Sequence, residues 1–254
     1  MRFGVCTTID NIEKLEEIGF DYLEANISGL VQMDGTEFEE LAKRANNSGI
    51  KVECFNILFP KTMNLLDGSS DWMAIHDYLH RAFERAERLS GGIVVFGSGK
   101  CRTVPKGMSF LEGHRRLADV IRKTGEIARE YGITIVIEPL NRNESNTINS
   151  VAEGAMMQAE VNLENVGLLA DSFHMFSENE PMSNITRAGA LIHTHVATLD
   201  GRRFPVSKDQ LLENFFGALK EINYNGRMSI EGKAENFETD AAKALKILKE
   251  LDLK

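Results

Sequence analysis

Short apolar runs rich in β-branched residues alternate with longer amphipathic stretches along the whole chain. This alternation constrains the fold more than any other feature, because each run has the length of a buried strand and each stretch has a helical period. The apolar runs predict eight strands, at residues 2–6, 22–27, 52–58, 93–97, 134–140, 166–171, 191–197 and 228–231. The clearest amphipathic stretches predict helices over residues 111–131, 211–222 and 237–251.

Eight strand–helix units in 254 residues match the length of a (β/α)₈ barrel, which is typically roughly 250 residues. No linker interrupts the alternation, so we predict an α/β fold with a single TIM-barrel domain over residues 1–254. An open doubly wound sheet is the alternative, but no Gly-x-Gly-x-x-Gly turn follows the first strand. The segment from Gly97 to Arg102 lacks the Walker spacing and is open to two interpretations. It is either a turn that backbone geometry requires or a cradle for a substrate phosphate.

The charge and the cysteine content indicate which binding partners and which cellular compartment to expect. The formal charge of −9 sets up a field that repels polyphosphates, so we expect no nucleic-acid partner. The first residues lack the apolar run of a signal peptide, and no stretch approaches the roughly 20 apolar residues of a membrane span. We therefore expect no membrane association and a cytoplasmic location. Cys6, Cys54 and Cys101 lack the number and spacing of a disulfide framework or a thiolate zinc site, which predicts free thiols.

Ionisable residues stand at the ends of the last four predicted strands, where the active sites of (β/α)₈ barrels lie. Glu138, Asp171 and Glu231 directly follow apolar runs, and His195 lies near the end of the seventh strand. Three carboxylates brought to one mouth need a cation or protons to offset their repulsion and desolvation. Oxygen-rich ligation with one histidine favours Mn²⁺, Mg²⁺ or Co²⁺ over a thiolate-type zinc site. His193 points to the same strand face as His195, and we interpret it as a packed supporting residue rather than a ligand.

Longer motifs surround these residues. They are Glu138-Pro139-Leu140-Asn141-Arg142-x-Glu144, Asp171-x-x-His174, His193-x-His195, Arg202-Arg203-x-Pro205 and Glu231. In this order they resemble the ketose 3-epimerases of the xylose-isomerase-like barrel superfamily, namely the D-tagatose and D-psicose 3-epimerases, and more loosely the hydroxypyruvate isomerases. The match rests on the spacings within the second half of the chain, such as the 29 residues from Arg202 to Glu231. The first half matches only generally.

The resemblance implies a role for each motif residue. The metal ligands would be Glu138, Asp171, His195 and Glu231, and the substrate contacts would be Glu144, His174 and Arg202. One divalent ion would be bound, with Mn²⁺ preferred and Mg²⁺, Co²⁺ or Zn²⁺ as alternatives. Glu138 and Glu231 would also be the catalytic acid–base pair, moving a proton next to a ketose carbonyl through a cis-enediolate. The distance to Glu231 favours Arg202 over Arg203 as the substrate contact.

The resemblance leaves the reaction open among several classes. A sugar isomerase or epimerase acting on a sugar or sugar phosphate is the first hypothesis, with a homodimer or homotetramer as the implied assembly. A hydroxypyruvate isomerase and an inosose-dehydratase-like lyase share the barrel and the metal. A hydrolase like the AP endonucleases is disfavoured, because the third and fourth strands end without histidine and the acidic charge opposes DNA. A sensor that has lost catalysis is disfavoured by the intact pair of Glu138 and Glu231.

Overall fold

The computed structural model describes residues 1–69 and 71–253, and its strands form a closed parallel barrel in chain order. The strands are β1 (Arg2–Cys6), β2 (Tyr22–Asn26), β3 (Lys51–Asn56), β4 (Ile93–Phe96), β5 (Thr134–Ile137), β6 (Val166–Asp171), β7 (His193–Val196) and β8 (Arg227–Ile230). The barrel closes where β8 pairs with β1, with Met228 beside Phe3. The predicted (β/α)₈ architecture is therefore confirmed. A single domain over residues 1–254 stays a prediction.

Helices surround the barrel, and several of them begin at a capping side chain. They are α1 (Ile12–Ile18), α2 (Ile27–Gln32), α3 (Gly35–Asn47), α4 (Trp72–Arg88), α5 (Phe110–Glu130), α6 (Val151–Val161), α7 (Ser172–Ser177), α8 (Ser183–Arg187), α9 (Gln210–Glu221) and α10 (Phe237–Leu253). Ser109 accepts a hydrogen bond from the Glu112 amide at 3.1 Å, and Ser150 does the same for Glu153 at 3.1 Å. Both are Ser-x-x-Glu sequences, which favour the first turn of a helix. Among the described helices, none combines the length and apolar character needed to cross a bilayer.

Six of the eight strands end earlier than predicted, at the end that forms the mouth of the barrel. β3 ends at Asn56 because Ile57 adopts a left-handed backbone with φ of 53°. β5 ends at Ile137, and Pro139, with no N–H to donate to a neighbouring strand, follows it closely. The residues beyond these ends belong to the loops that line the site.

An apolar cluster fills the interior of the barrel below the mouth. Its members are Tyr22, Cys54, Ile93, Val95, Val136 and Leu169. Tyr22 and Leu169 come from strands far apart around the sheet, so the cluster spans the interior. Because side chains alternate across a strand, Glu24 and Asp171 point the same way as these two residues, one layer nearer the mouth. The cluster thus forms an apolar layer beneath a layer of ionisable groups.

Candidate active site and metal centre

Four ionisable side chains meet at the mouth. Glu138, Asp171, His195 and Glu231 each offer one ligand atom, and these atoms all lie within 4.8 Å of one another. Nδ1 of His195 lies 3.1 Å from Oε1 of Glu138 and 3.2 Å from Oε2 of Glu231. Glu138, Asp171 and His195 are buried, and Glu231 is partly exposed. The structure therefore brings together the four side chains predicted as metal ligands.

Glu24 lies behind His195 and orients its ring, and the sequence analysis missed it. The Glu24 carboxylate is fully buried and accepts hydrogen bonds from Nε2 of His195 at 3.0 Å and Nε2 of His193 at 2.8 Å. Because Nε2 of His195 donates to Glu24, Nδ1 is left facing the other carboxylates, as in metal sites whose histidines are held by a carboxylate. The available signal was a glutamate within an apolar strand, where a buried charge requires a partner. His193 contacts Glu24, which agrees with its interpretation as a supporting residue.

The buried charges shift one another's pKa values. Burial raises the pKa of Glu138, and the neighbouring Glu231 carboxylate raises it further. Burial acts in the same direction on Glu231, but His195 and Arg202 outweigh it and hold the pKa of Glu231 well below its usual range. Burial would lower the pKa of His195, yet Glu24 and Glu231 raise it well above its usual value. The cluster as a whole therefore favours bound positive charge.

The donor set fits a divalent cation. Three carboxylates and one imidazole nitrogen, with the imidazole held from behind by Glu24, are the donors that hard and borderline divalent ions prefer. The carboxylates of this cluster already bind one positive group, because the Arg202 guanidinium donates to Oδ2 of Asp171 at 3.3 Å and to Oε2 of Glu231. The residues that would hold the ion are those four.

A cavity of about 290 Å³ opens beside this cluster, and we call it the Glu138 cavity. It is lined by Glu138 and Glu231 and by the three residues predicted to contact the substrate, namely Glu144, His174 and Arg202. All seven predicted site residues therefore lie in the ligand cluster or on the walls of this one cavity. The arrangement can place a small polar molecule against the two carboxylates of Glu138 and Glu231.

His174 presents an unsatisfied donor at this cavity. The ring is buried, and its Nδ1 accepts a hydrogen bond from the Asn141 amide at 3.1 Å, which assigns the proton of the neutral ring to Nε2. Nε2 has no hydrogen-bond partner among the described residues, and Oδ2 of Asp171 lies 3.6 Å away. A buried donor without a partner is suited to a ligand oxygen.

Arg202 and Arg203 point to different places, which separates two residues that are adjacent in sequence. Arg202 has a left-handed backbone with φ of 51° and pairs with Glu144 at 3.5 Å as well as with the cluster. Its guanidinium also lies 4.8 Å from the centroid of the Phe173 ring, which supports its position. Arg203 pairs with Glu235 instead. The cavity therefore contains Arg202, the arginine that the sequence spacing favoured.

The loop after β4 holds Glu138 in place. A Cβ atom at Gly97 would lie 2.1 Å from Oε2 of Glu138, so a side chain at this position would displace the Glu138 carboxylate. Arg102 is fully buried and donates to the carbonyl oxygens of Phe96 at 3.2 Å and Glu138 at 2.6 Å, which ties the ends of β4 and β5 together. Ser98 and Lys100 line the cavity. These contacts give the segment a structural role, and its interpretation as a phosphate cradle stays a prediction.

Comparison with known proteins identifies the family. The chain matches the xylose isomerase-like TIM barrel family over residues 12–251 and belongs to it. It is 27% identical to the D-psicose 3-epimerase of Agrobacterium fabrum over 231 residues, which cover 87% of this chain and 77% of the relative. It is 22% identical to the 3-dehydro-D-guloside 4-epimerase of Escherichia coli over 242 residues, covering 89% of this chain and 87% of the relative. These relatives place the chain in the isomerase class of enzymes.

A solved structure supports the same fold. A D-psicose 3-epimerase determined in the presence of D-fructose matches with a TM-score of 0.86 at 23% identity, and the match covers 99% of both chains. The likeness extends over the whole barrel.

Proposed function

We propose that this chain is a divalent-metal-dependent ketose 3-epimerase acting on a small sugar. One observation carries the proposal: the ligand atoms of Glu138, Asp171, His195 and Glu231 lie within 4.8 Å of one another at the mouth of the barrel. The adjoining Glu138 cavity has room for a small polar molecule. The resemblance to the D-psicose 3-epimerase of Agrobacterium fabrum supports the same reaction.

Glu138 and Glu231 are proposed as the acid–base pair. They follow β5 and β8, which are not neighbours in the barrel, and the His195 ring lies between their carboxylates. One carboxylate removes the proton from the carbon next to the carbonyl, and the other carboxylic acid delivers a proton to the opposite face, which inverts that carbon. A divalent cation held by Glu138, Asp171, His195 and Glu231 would supply positive charge that favours the negative charge developing on the substrate oxygen.

Three further side chains are proposed to hold the substrate. The Nε2–H of His174 donates to a substrate oxygen, because that donor is buried beside the cavity and lacks a protein partner. Arg202 balances negative charge on the substrate at the end of the cavity where His174 lies. Glu144 accepts a hydrogen bond from a substrate hydroxyl group. Asn141 keeps His174 and Glu144 in position, because its backbone amide donates to His174 and its side chain donates to Glu144 at 3.1 Å.

We propose Mn²⁺ as the resident ion, with Mg²⁺, Co²⁺ and Zn²⁺ as competitors that elemental analysis of the purified protein distinguishes. The substrate is a sugar or sugar phosphate rather than a nucleic acid. A cytoplasmic location is supported by Cys6, Cys54 and Cys101, which are all free thiols and suit a reducing compartment. A homodimer or homotetramer is the proposed assembly, to be measured by light scattering.

The test is proton exchange with solvent. The protein with Mn²⁺ is incubated in deuterated water with a panel of ketoses, their phosphates and hydroxypyruvate, and the products are analysed by NMR after removal of protein and metal. We expect deuterium at C3 of one ketose together with its C3 epimer. An aldose would indicate an isomerase, and a dehydrated product would indicate a lyase. Absence of deuterium from every compound would contradict the proposal.

A variant separates catalysis from metal binding. Glu138→Gln keeps an oxygen ligand but loses the base, so the variant is expected to bind the metal and lose exchange. Glu126→Gln, at an exposed position on α5, is the matched control and is expected to behave as the wild type.

A further inference from the structure

A second cavity of about 450 Å³ opens over the ends of β1, β2 and β3, and we call it the Met33 cavity. Its apolar wall consists of Leu30 on α2, Met33 directly after α2, and Leu41 on α3. The volume falls within the roughly 300–1,000 Å³ of small-molecule sites. None of the seven residues that we assign to the metal or to the reacting sugar lines it.

Two consecutive residues connect this cavity to the site. Ile57 lines both the Met33 cavity and the Glu138 cavity. Asn56 lines the Met33 cavity, and its side-chain amide donates to Oε1 of Glu231 at 2.9 Å. A ligand that extends past Ile57 therefore occupies both cavities. The hydrogen bond from Asn56 also joins the Met33 cavity to Glu231, a proposed catalytic residue.

Ile57 has two features that packing alone does not explain. Its backbone is left-handed, with φ of 53°, a conformation that β-branched residues rarely adopt. Its apolar side chain is 39% exposed. Ser98 and Arg202, which also line the Glu138 cavity, have left-handed backbones too, with φ of 38° and 51°. Strained residues gathered around a mouth are typical of sites that hold a ligand in a defined pose.

The lining of the Met33 cavity favours an uncharged ligand that carries hydroxyl groups. Thr7, Thr8 and Asn26 add hydroxyl and amide groups to the lining. The acidic residue in the lining, Asp10, is already paired with Arg44 at 2.9 Å. No lysine or arginine of the described residues lines this cavity, so a phosphate would find no cationic partner in it. A sugar ring, with apolar C–H faces and polar edges, matches such a surface.

We propose that the Met33 cavity is a distal subsite for an uncharged sugar unit linked to the ketose that reacts in the Glu138 cavity. This inference rests on the proposed function for the reacting unit. The linked unit is attached away from the carbonyl, so that C3 stays free to exchange its proton. Contacts with the distal unit then contribute binding energy that increases turnover of the reacting unit.

The test compares three compounds that differ at one oxygen of the ketose. They are D-fructose, D-fructose 6-phosphate and isomaltulose, which carries a glucose unit on O6. We expect the rate of deuterium incorporation at C3, expressed as kcat/KM, to be about tenfold higher for isomaltulose than for D-fructose. A rate for isomaltulose below that for D-fructose overturns the proposal. Preference for D-fructose 6-phosphate overturns the assignment of an uncharged ligand.

Filling the cavity is the matched perturbation. Met33→Trp places a larger side chain in the cavity and is expected to reduce the ratio of the isomaltulose rate to the D-fructose rate to about one. Met156→Trp makes the same change on the exposed surface of α6, where Met156 is 71% exposed, and is expected to keep the wild-type ratio. A Met33→Trp variant that also keeps the wild-type ratio overturns the proposal.

A binding measurement keeps this proposal separate from the epimerase proposal. Methyl α-D-glucopyranoside has no carbonyl, so its binding requires no proton transfer. In saturation-transfer NMR with Mg²⁺-loaded protein, we expect transfer to this glucoside from the wild type and Met156→Trp and a loss of transfer with Met33→Trp. That result supports the subsite even if no ketose exchanges deuterium. Equal transfer from all three proteins, or none from the wild type, overturns it.

Discussion

Replacing Glu24 with glutamine tests how the site controls its histidine. Glu24 accepts hydrogen bonds from Nε2 of His195 at 3.0 Å, Nε2 of His193 at 2.8 Å and Oγ of Ser229 at 2.5 Å. Glutamine keeps the shape but offers one acceptor oxygen and an NH₂ group, so a ring N–H meets another donor. The His193 ring can relieve this conflict by carrying its proton on Nδ1, which lies 3.1 Å from the Arg227 carbonyl oxygen. The His195 ring, however, loses the negative charge behind Nε2, which lowers the basicity of Nδ1 as a metal ligand.

The size of the effect follows from the position of Glu24. Loss of the carboxylate behind a metal-bound histidine reduces metal affinity about 10–100-fold, or about 1.4–2.7 kcal/mol. We expect the upper end of this range for Glu24→Gln, because the carboxylate is fully buried and serves two histidines. Isothermal titration calorimetry with Mn²⁺ measures the affinity of the wild type and the variant.

Glu53→Gln is the matched control for this experiment. Glu53 is also an ion-paired carboxylate in a strand, but its partners are Arg2 and Arg227 at the starts of β1 and β8, away from the mouth. We expect wild-type Mn²⁺ affinity for this variant. Unchanged affinity in a folded Glu24→Gln protein would refute the role of Glu24, and an equal loss in Glu53→Gln would show a general effect on the barrel.

Four further predictions concern single residues. Gly97→Ala is expected to lower kcat about 100-fold without loss of helical circular dichroism, because the new Cβ displaces Glu138, and wild-type kcat would contradict this. Arg102→Met is expected to lower the free energy of unfolding in urea by about 2–4 kcal/mol, because two hydrogen bonds from a buried guanidinium to backbone carbonyl oxygens are lost, whereas a loss under about 1 kcal/mol would contradict it. Burial raises the pKa of Cys101 to about 11, so a thiol reagent at about pH 8 should label it only after unfolding, as peptide mass spectrometry would show. Burial raises the pKa of Glu180 above its ordinary value of 4.5, so the folded state binds this proton more tightly than the unfolded state does. The protonated carboxyl group therefore stabilises the fold at low pH, and this contribution is lost as pH rises from 4.5 through the raised pKa. Glu180→Gln should flatten the dependence of unfolding free energy on pH in that window, and parallel profiles for the two proteins would count against this.

The barrel could be predicted from sequence because each element carries its own local signal. Apolar runs and helical periods recur eight times, and the C-terminal end of a barrel strand is where active-site residues lie. Glu138, Asp171 and Glu231 follow such runs directly, so their meeting point required no knowledge of the loops. The ends of the strands were less predictable, since the backbone angle of Ile57 depends on what surrounds it.

The partners of the buried charges could not be predicted from sequence. Glu24 and His195 are separated by 171 residues, and no spacing rule relates them. The position of Glu24 follows from closure of the barrel, which turns β2 and β7 toward a shared interior. Arg102 lies in the segment predicted as a turn or a phosphate cradle, yet it is buried against the strand end that carries Glu138. Such contacts are set by the tertiary fold, as is the Met33 cavity.

The most direct test of the account is anomalous diffraction from a crystal of the wild-type protein grown with Mn²⁺. We expect one manganese peak within bonding distance of Glu138, Asp171, Nδ1 of His195 and Glu231. A peak elsewhere, or no peak with Arg202 still bridging Asp171 and Glu231, would contradict the assignment of these four residues to a metal centre.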